Sequence, residues 1–213
     1  MATEWPEIIL TVICSLGFIS LSKTFIHFAR WMWVMFFRPL KNLKTYSSGA
    51  IITGSTDGTG KAISLELASS GPNILLVGQN PKKLEATSKE IRDTHGSHVE
   101  VKLVVIDFEK VNGEERVKKM EETTKGLDIG VLVNNTDMAN PYPRYSHEED
   151  FEFLDAIIKV NVEAITWVTR GVIKGMIRKK KGAIISIGFA SCFVVPSFPL
   201  YTLYAATKAY SFW

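Results

Sequence analysis

Apolar residues follow two different patterns along this chain. Residues 8–21 run Ile-Ile-Leu-Thr-Val-Ile-Cys-Ser-Leu-Gly-Phe-Ile-Ser-Leu without a charge, and a second apolar and aromatic stretch over 25–37 is broken only by His27 and Arg30. A bilayer core of about 30 Å needs roughly 20 helical residues, a length reached if Pro6 opens the helix and Lys23 snorkels from its far end. Glu4 and Glu7 stand where a cleaved signal peptide carries cations, and no small-x-small site follows, so the pattern predicts a retained anchor. Arg30, Trp31, Trp33 and Phe36-Phe37-Arg38-Pro39 suit an interfacial belt. Lys23, Arg30, Arg38, Lys41 and Lys44 all follow the span, which puts the rest of the chain on the cytosolic side. A polar linker up to Ser48 then divides residues 1–47, anchor and linker, from a domain over 48–213.

Beyond Ser48 the pattern changes to short apolar runs separated by helix-period segments. Ala50-Ile51-Ile52-Thr53 is a strand that breaks at Gly54. A helix follows over 61–70 with Ile63, Leu65, Leu67 and Ala68, stopped by Gly71-Pro72. A strand over 73–77 leads to a helix opened by Pro81 with Leu84, Ser88 and Ile91 on one face. Strands over 99–106, 129–133 and 183–187 are separated by a polar helix over 114–125 and one or two helices over 151–176. Continuous apolar strands alternating with helices predict an α/β fold, a doubly wound, Rossmann-like parallel sheet buried on both faces. Ligands of such sheets sit at the C-terminal strand ends. Gly54, Asp107, Asn134 and the residues after Ile187 fall there.

The 213 residues, 46% hydrophobic, suffice for one sizeable core. A net charge of +3 is too mild to call for nucleic acid, and Arg178-Lys179-Lys180-Lys181 reads as a solvated turn before a strand. Cys14 and Cys192 show no spacing of a disulfide ladder, which suits a reducing compartment. His27, His95, His98 and His147 have no metal-ligand spacing, so no metal is expected.

Two groups of residues carry chemistry. Gly54-Ser55-Thr56-Asp57-Gly58-Thr59-Gly60, between a strand and a helix, reads as a cradle whose free N–H groups face an anion such as a dinucleotide pyrophosphate. An ordinary glycine-rich turn is the alternative, because the commoner fingerprint is G-x-G-x-x-G. Near the end, Tyr204 and Lys208 share a helix face, with Ser191 upstream and Asn161 in the preceding helical region. A nearby ammonium and a cationic nicotinamide are together expected to lower the phenol's pKa from about 10, letting it protonate a carbonyl oxygen as hydride arrives at the carbon.

Thr53-Gly54-x-x-x-Gly58-x-Gly60, Asp107, Asn134-Asn135, Asn161, Ser191 and Tyr204-x-x-x-Lys208 come in the order of the short-chain dehydrogenase/reductase family, which the sequence resembles from about Ser48 onward. The apolar segment, Phe37-Arg38-Pro39, Gly182-Ala183-Ile184-Ile185 and Pro196-Ser197-Phe198-Pro199 resemble plant very-long-chain 3-oxoacyl-CoA reductases, themselves similar to 17β-hydroxysteroid dehydrogenases. The resemblance implies NADPH-dependent reduction of the C3 ketone of a long acyl-CoA at the endoplasmic reticulum membrane, beside other elongase subunits. It implies Tyr204 as general acid and Lys208 as the group that lowers its pKa and holds the ribose. Ser191 would orient the carbonyl and Asn161 support a relay water. Gly54, Ser55, Thr56, Asp57, Gly58 and Gly60 would seat the pyrophosphate, with Asp107 and Asn134 beside adenine and ribose. An acyl chain of that length resides in the bilayer, which gives the anchor a purpose.

Four departures accompany the resemblance. The family's Asn-Asn-Ala-Gly reads Asn134-Asn135-Thr136-Asp137, putting a branched side chain and a carboxylate where small residues meet the cofactor. The carbonyl-orienting position is Ser191 counted from Tyr204 but Phe189 counted from the strand end. The Arg that would pair a 2′-phosphate is replaced by Gln79-Asn80, leaving Lys82 or Lys83 as substitutes and the choice of NADPH over NADH to the resemblance. Finally, the chain ends at Trp213, whereas the family continues through further strands and a substrate lid. The expectation is a fold incomplete on its C-terminal side, its fifth strand at a sheet edge, destabilised or dependent on association. A catalytically inactive or truncated homologue acting through partners, and a steroid ketone as substrate, are the alternative readings.

Overall fold

A computed structural model describes residues 4–39, 42–46, 48–96, 98–192 and 198–212. It divides into two compact units, 1–42 and 43–213.

The first unit is one helix, α1 (Glu4–Met32), extended by a π turn over Trp33–Phe37. The two apolar stretches thus form one rod with no break at Ser22-Lys23. Over Pro6–Phe37 it is long and apolar enough to cross a membrane. Thr11, Ser15 and Thr24 bond their hydroxyls back to the carbonyls of Glu7, Thr11 and Ser20 at 2.8, 2.7 and 3.1 Å, which satisfies these three within the helix. Lys41 of the expected cation series lies outside the described residues.

The second unit runs β1 (Gly49–Thr53), α2 (Gly58–Ser69), β2 (Asn73–Gly78), α3 (Pro81–His95), β3 (Val101–Val105), α4 (Gly113–Thr124), β4 (Ile129–Asn134), α5 (Phe151–Ile158), α6 (Ala164–Lys179), β5 (Ala183–Ser186) and α7 (Thr202–Ala209). All four pairings are parallel, in the order β3-β2-β1-β4-β5. This is the doubly wound arrangement expected, and winding reverses between β1 and β4. Every residue of β1 and β4 is buried, as a parallel sheet covered on both faces requires. One core gathers Ile51, Leu132, Met120, Val168 and Val172; the other gathers Ile52, Leu76, Leu84, Ile91 and Val133. Leu43 and Tyr46 pack on the second core, which is why this unit begins before Ser48. The outer strands differ: Leu103 and Val105 on β3, and Ile184 and Ile185 on β5, are exposed, as the edge position of the fifth strand led us to expect.

The helical segment over 151–176 resolves into α5 and α6 joined without interruption by a π turn, Lys159–Glu163. The basic run closes α6, with Lys180 left-handed at φ 55°. Lys179 is not a free solvated cation: it pairs with Asp128 and donates to the Ile129 carbonyl at 2.8 Å. Arg116 of α4 lies buried against the π turn, pairing with Glu163 at 3.0 Å and donating to the Phe108 carbonyl. It joins the β3 exit loop to that turn.

Where α4 meets α6, a Cβ on Gly171 would lie 2.8 Å from Met120 Cβ and 3.3 Å from the Val117 carbonyl, whereas one on Gly175 meets nothing within 4 Å. The same substitution should therefore have opposite signs one turn apart. Gly175→Ala is expected to raise stability by about 0.5–1 kcal/mol through helix propensity. Gly171→Ala is expected to lower it by roughly 1–2 kcal/mol through overpacking. Denaturant midpoints of the two variants check this.

Candidate active site

The turn after β1 is built by close approach. Gly54 has φ 64° and Gly58 φ 50°, a region costly to residues with a Cβ. A Cβ on Gly54 would sit 2.9 Å from Thr136 Cα, and one on Gly60 only 2.2 Å from the Gly54 carbonyl oxygen and 2.4 Å from Asn135 Nδ2. The β1 and β4 exits therefore touch backbone to backbone. Thr53 fastens them, its hydroxyl accepting the N–H of Asn135 at 3.0 Å and of Thr136 at 3.1 Å. Asn135 Nδ2 adds a bond to the Gly54 carbonyl at 3.1 Å.

These exits open into a cleft of about 650 Å³ lined by Gly54, Gly58, Gln79, Phe108, Tyr204 and Lys208 among others, a size suited to a cofactor. The residues present fit a dinucleotide at its phosphate end. A Cβ on Gly58 would meet nothing within 4 Å, so main chain at the start of α2 borders open space. Thr136 Oγ1, on the cleft wall, is buried without a partner among the described residues. Asp57 caps α2, accepting the Gly58 N–H at 2.9 Å and pairing with Lys83 at 3.0 Å. The Lys83 bond, then the Gly58 N–H, hold its carboxyl below the ordinary range. Lys83, one of the two substitutes considered for the missing Arg, is thus already engaged.

At the other end, α7 carries Tyr204 and Lys208, both buried, on the cleft wall. The ammonium lies 5.9 Å from the Tyr204 ring centre and donates to the Ile187 carbonyl at 3.1 Å. Asp137 takes up both groups: Tyr204 Oη donates to Oδ2 at 2.8 Å, and Lys208 Nζ stands 3.0 Å from Oδ1. The phenol's pKa is consequently raised, by burial first and then by the Asp137 hydrogen bond and charge. Lys208, expected to lower it in company with a nicotinamide, is not among the causes of this shift. Phe189 packs edge-on against Tyr204 at 5.1 Å between ring centres. Ser191 lies in a 3-10 turn, Ala190–Cys192; its side chain, like 193–197 with Pro196 and Ser197, lies outside the described residues. Asn161, in the π turn, is buried and fully bonded: Oδ1 accepts the Met138 N–H at 2.8 Å, and Nδ2 donates to the Met138 carbonyl at 2.8 Å and to Thr207 Oγ1 at 3.0 Å.

The cleft therefore brings together Gly54, Thr56, Asp57, Gly58, Tyr204 and Lys208 from the sequence-derived set. Gly60 lies behind it, packed on Gly54. Ser55, Asp107 and Asn134 are not among the lining residues. Ser55 is buried and donates to the Val77 carbonyl at 3.3 Å. Asp107 accepts the Glu109 N–H at 3.1 Å and pairs with Lys110 at 3.3 Å. Asn134 is buried, donating to Thr169 Oγ1 at 3.1 Å. The neighbours Ile106, Phe108 and Asn135 form the wall instead. Sequence reasoning noticed Asp137 only as an obstacle to the cofactor; no motif signalled its contacts across to α7.

A parallel α/β sheet with a glycine cradle at its switch point and a Tyr-Lys pair lining the same crevice defines a Rossmann-type nucleotide-binding fold. The short chain dehydrogenase family model matches residues 48–210, and the chain belongs to that family. It is 40% identical over 199 residues to a very-long-chain 3-oxoacyl-CoA reductase-like protein of Arabidopsis thaliana, covering 93% of this chain and 62% of the relative. It is also 40% identical over 168 residues to inactive hydroxysteroid dehydrogenase-like protein 1 of Homo sapiens, covering 79% of this chain and 49% of the relative. The chain thus spans only half to three-fifths of the length of these relatives. A short-chain dehydrogenase from Sphingobium yanoikuyae in complex with NADPH superposes with a TM-score of 0.67 at 27% identity, covering 76% of this chain and 61% of that one.

Gly58→Ala should cost about 1–2 kcal/mol through its left-handed backbone alone, whereas Gly60→Ala should cost more than Gly58→Ala, because main chain must move. Thermal melting of the two variants, ranked against the parent, checks the order.

Proposed function

We propose that this chain is the nucleotide-binding part of a membrane-anchored reductase acting on the C3 ketone of a long-chain or very-long-chain 3-oxoacyl-CoA, with NADPH as reductant. The observation that carries the reading is Tyr204 and Lys208 lining one cleft with the Gly54 and Gly58 turn. The name of the Arabidopsis thaliana relative supports the substrate class. A bound nicotinamide would contribute hydride donation to the ketone carbon. Gly54 and Gly58 would hold its pyrophosphate, beside Asp57 and in front of Gly60. Tyr204 would hydrogen-bond the ketone oxygen and give up the Oη proton to it. Lys208, its ammonium oriented by the Ile187 carbonyl, would bond the ribose. Ser191 would orient the ketone, and Asn161, bonded to Met138 and Thr207, would keep the β4 exit and α7 in place around a relay water. The remaining family positions, Asp107 and Asn134, would act from behind the wall. The α1 rod, with its long apolar stretch, supports anchoring at the endoplasmic reticulum with the catalytic unit in the cytosol, near other elongase subunits.

A second reading, an inactive homologue that works through partner binding, is favoured by one observation: Asp137 occupies both functional groups of α7. The decisive comparison is NADPH oxidation with a long-chain 3-oxoacyl-CoA by detergent-solubilised chain and by Tyr204→Phe. The reductase reading expects the Phe variant to lose about 10²–10⁴-fold, the usual worth of a positioned general acid. Equal, negligible rates in both would favour the inactive reading instead.

A further inference from the structure

We propose that Asp137 is a carboxylate latch on the Tyr204–Lys208 pair, a positioning residue that keeps the phenol's proton and the ammonium's charge occupied and thereby sets the chain's turnover. The inference rests on the ketone-reducing reading above and deepens it.

Three observations carry it. Asp137 divides its two oxygens between the partners, Oδ2 to the phenol at 2.8 Å and Oδ1 to the ammonium at 3.0 Å. Lys208 is only 4% exposed, while the Asp137 side chain keeps 35% of its surface open to solvent, so the pair ties a buried ammonium to a carboxylate at the mouth of the cleft. The carboxylate is also held there from behind. The next residue, Met138, is gripped through both its N–H and its carbonyl by the Asn161 side chain, which reaches Thr207 of α7 as well. Asp137 therefore projects from a fixed point toward α7. The groups facing the phenol are Asp137 from the β4 exit, Lys208 from its own helix and the Cys192 thiol from the 3-10 turn, with Phe189 against the ring.

The chemical consequence follows from where the charges go. Reduction breaks the Tyr204 O–H bond and forms an O–H bond on the alcohol, while hydride from the reduced nicotinamide makes the new C–H bond and leaves the nicotinamide oxidised. The step creates a phenolate within hydrogen-bond distance of the Asp137 carboxylate, and two anions that close oppose each other. The same carboxylate competes with the ketone oxygen for the phenol proton and with the ribose for the ammonium. A residue without a carboxylate at 137 removes all three obstacles.

Asp137→Gly and Asp137→Asn, each with and without Tyr204→Phe, test this in the full chain in detergent. Two readouts are taken: NADPH-dependent turnover of a long-chain 3-oxoacyl-CoA, and the near-ultraviolet tyrosinate titration of Tyr204 by difference from its Phe variant. The latch predicts that both Asp137 variants move the Tyr204 titration down by about one pH unit or more and raise turnover by about tenfold or more, only when Tyr204 is present. An unmoved titration in both folded variants, or a measurable parent turnover equal to theirs, overturns it. A titration that moves while no variant reduces the ketone supports the latch and counts against the substrate reading. Should Asp137→Gly fail to melt cooperatively, Asp137→Asn, closer in shape, decides.

Discussion

The geometry of the crevice depends on the approach of two strand exits that have no room for a side chain between them. Thr53 spends one hydroxyl on two main-chain N–H groups of the β4 exit, and Gly60 lets the start of α2 settle on the Gly54 carbonyl. Once these contacts are made, the direction of α2 and the path of residues 134–138 are both fixed, and with them the distance across which α7 must reach. A parallel sheet supplies such a place only where its winding reverses, here between β1 and β4. Every other feature of the cleft is attached to that junction.

Much of this was legible beforehand because it rests on local rules. Apolar runs such as 50–53 and 129–133 read as buried strands, and they form β1 at the centre of the sheet and β4 beside it. Glycines in the first turn read as a cradle, and two of them carry left-handed backbone there. Tyr204 and Lys208, four apart, share a face as helix geometry demands. What escaped is the direction in which individual side chains turn. Asp107, Asn134 and Ser55 stand at strand ends, yet their side chains turn into the loop, toward Thr169 and toward Val77. Nothing in their spacing encodes that choice.

The π turn over Lys159–Glu163 is a second case. Its sequence, Lys-Val-Asn-Val-Glu, continues the helical pattern on both sides, so periodicity passes straight through it. Only the tertiary demands on Asn161, which faces Met138 and Thr207, and on Glu163, which meets buried Arg116, account for the wider turn. The phenol's raised pKa belongs to the same class. Spacing along α7 revealed a cation near Tyr204, whereas what raises the phenol's pKa is its burial and then a carboxylate 67 positions earlier.

Arg116 extends this reasoning to a part of the fold remote from the dyad. Its guanidinium joins the carbonyl of Phe108, a cleft-wall residue, to Glu163 at the far end of the Asn161 turn. The wall that would face one end of a bound nucleotide and the turn that bonds α7 are thus joined through one buried guanidinium. From Phe108 a chain of bonded side chains runs beneath the crevice to α7, through Arg116 to the turn and through Asn161 from the turn to Thr207.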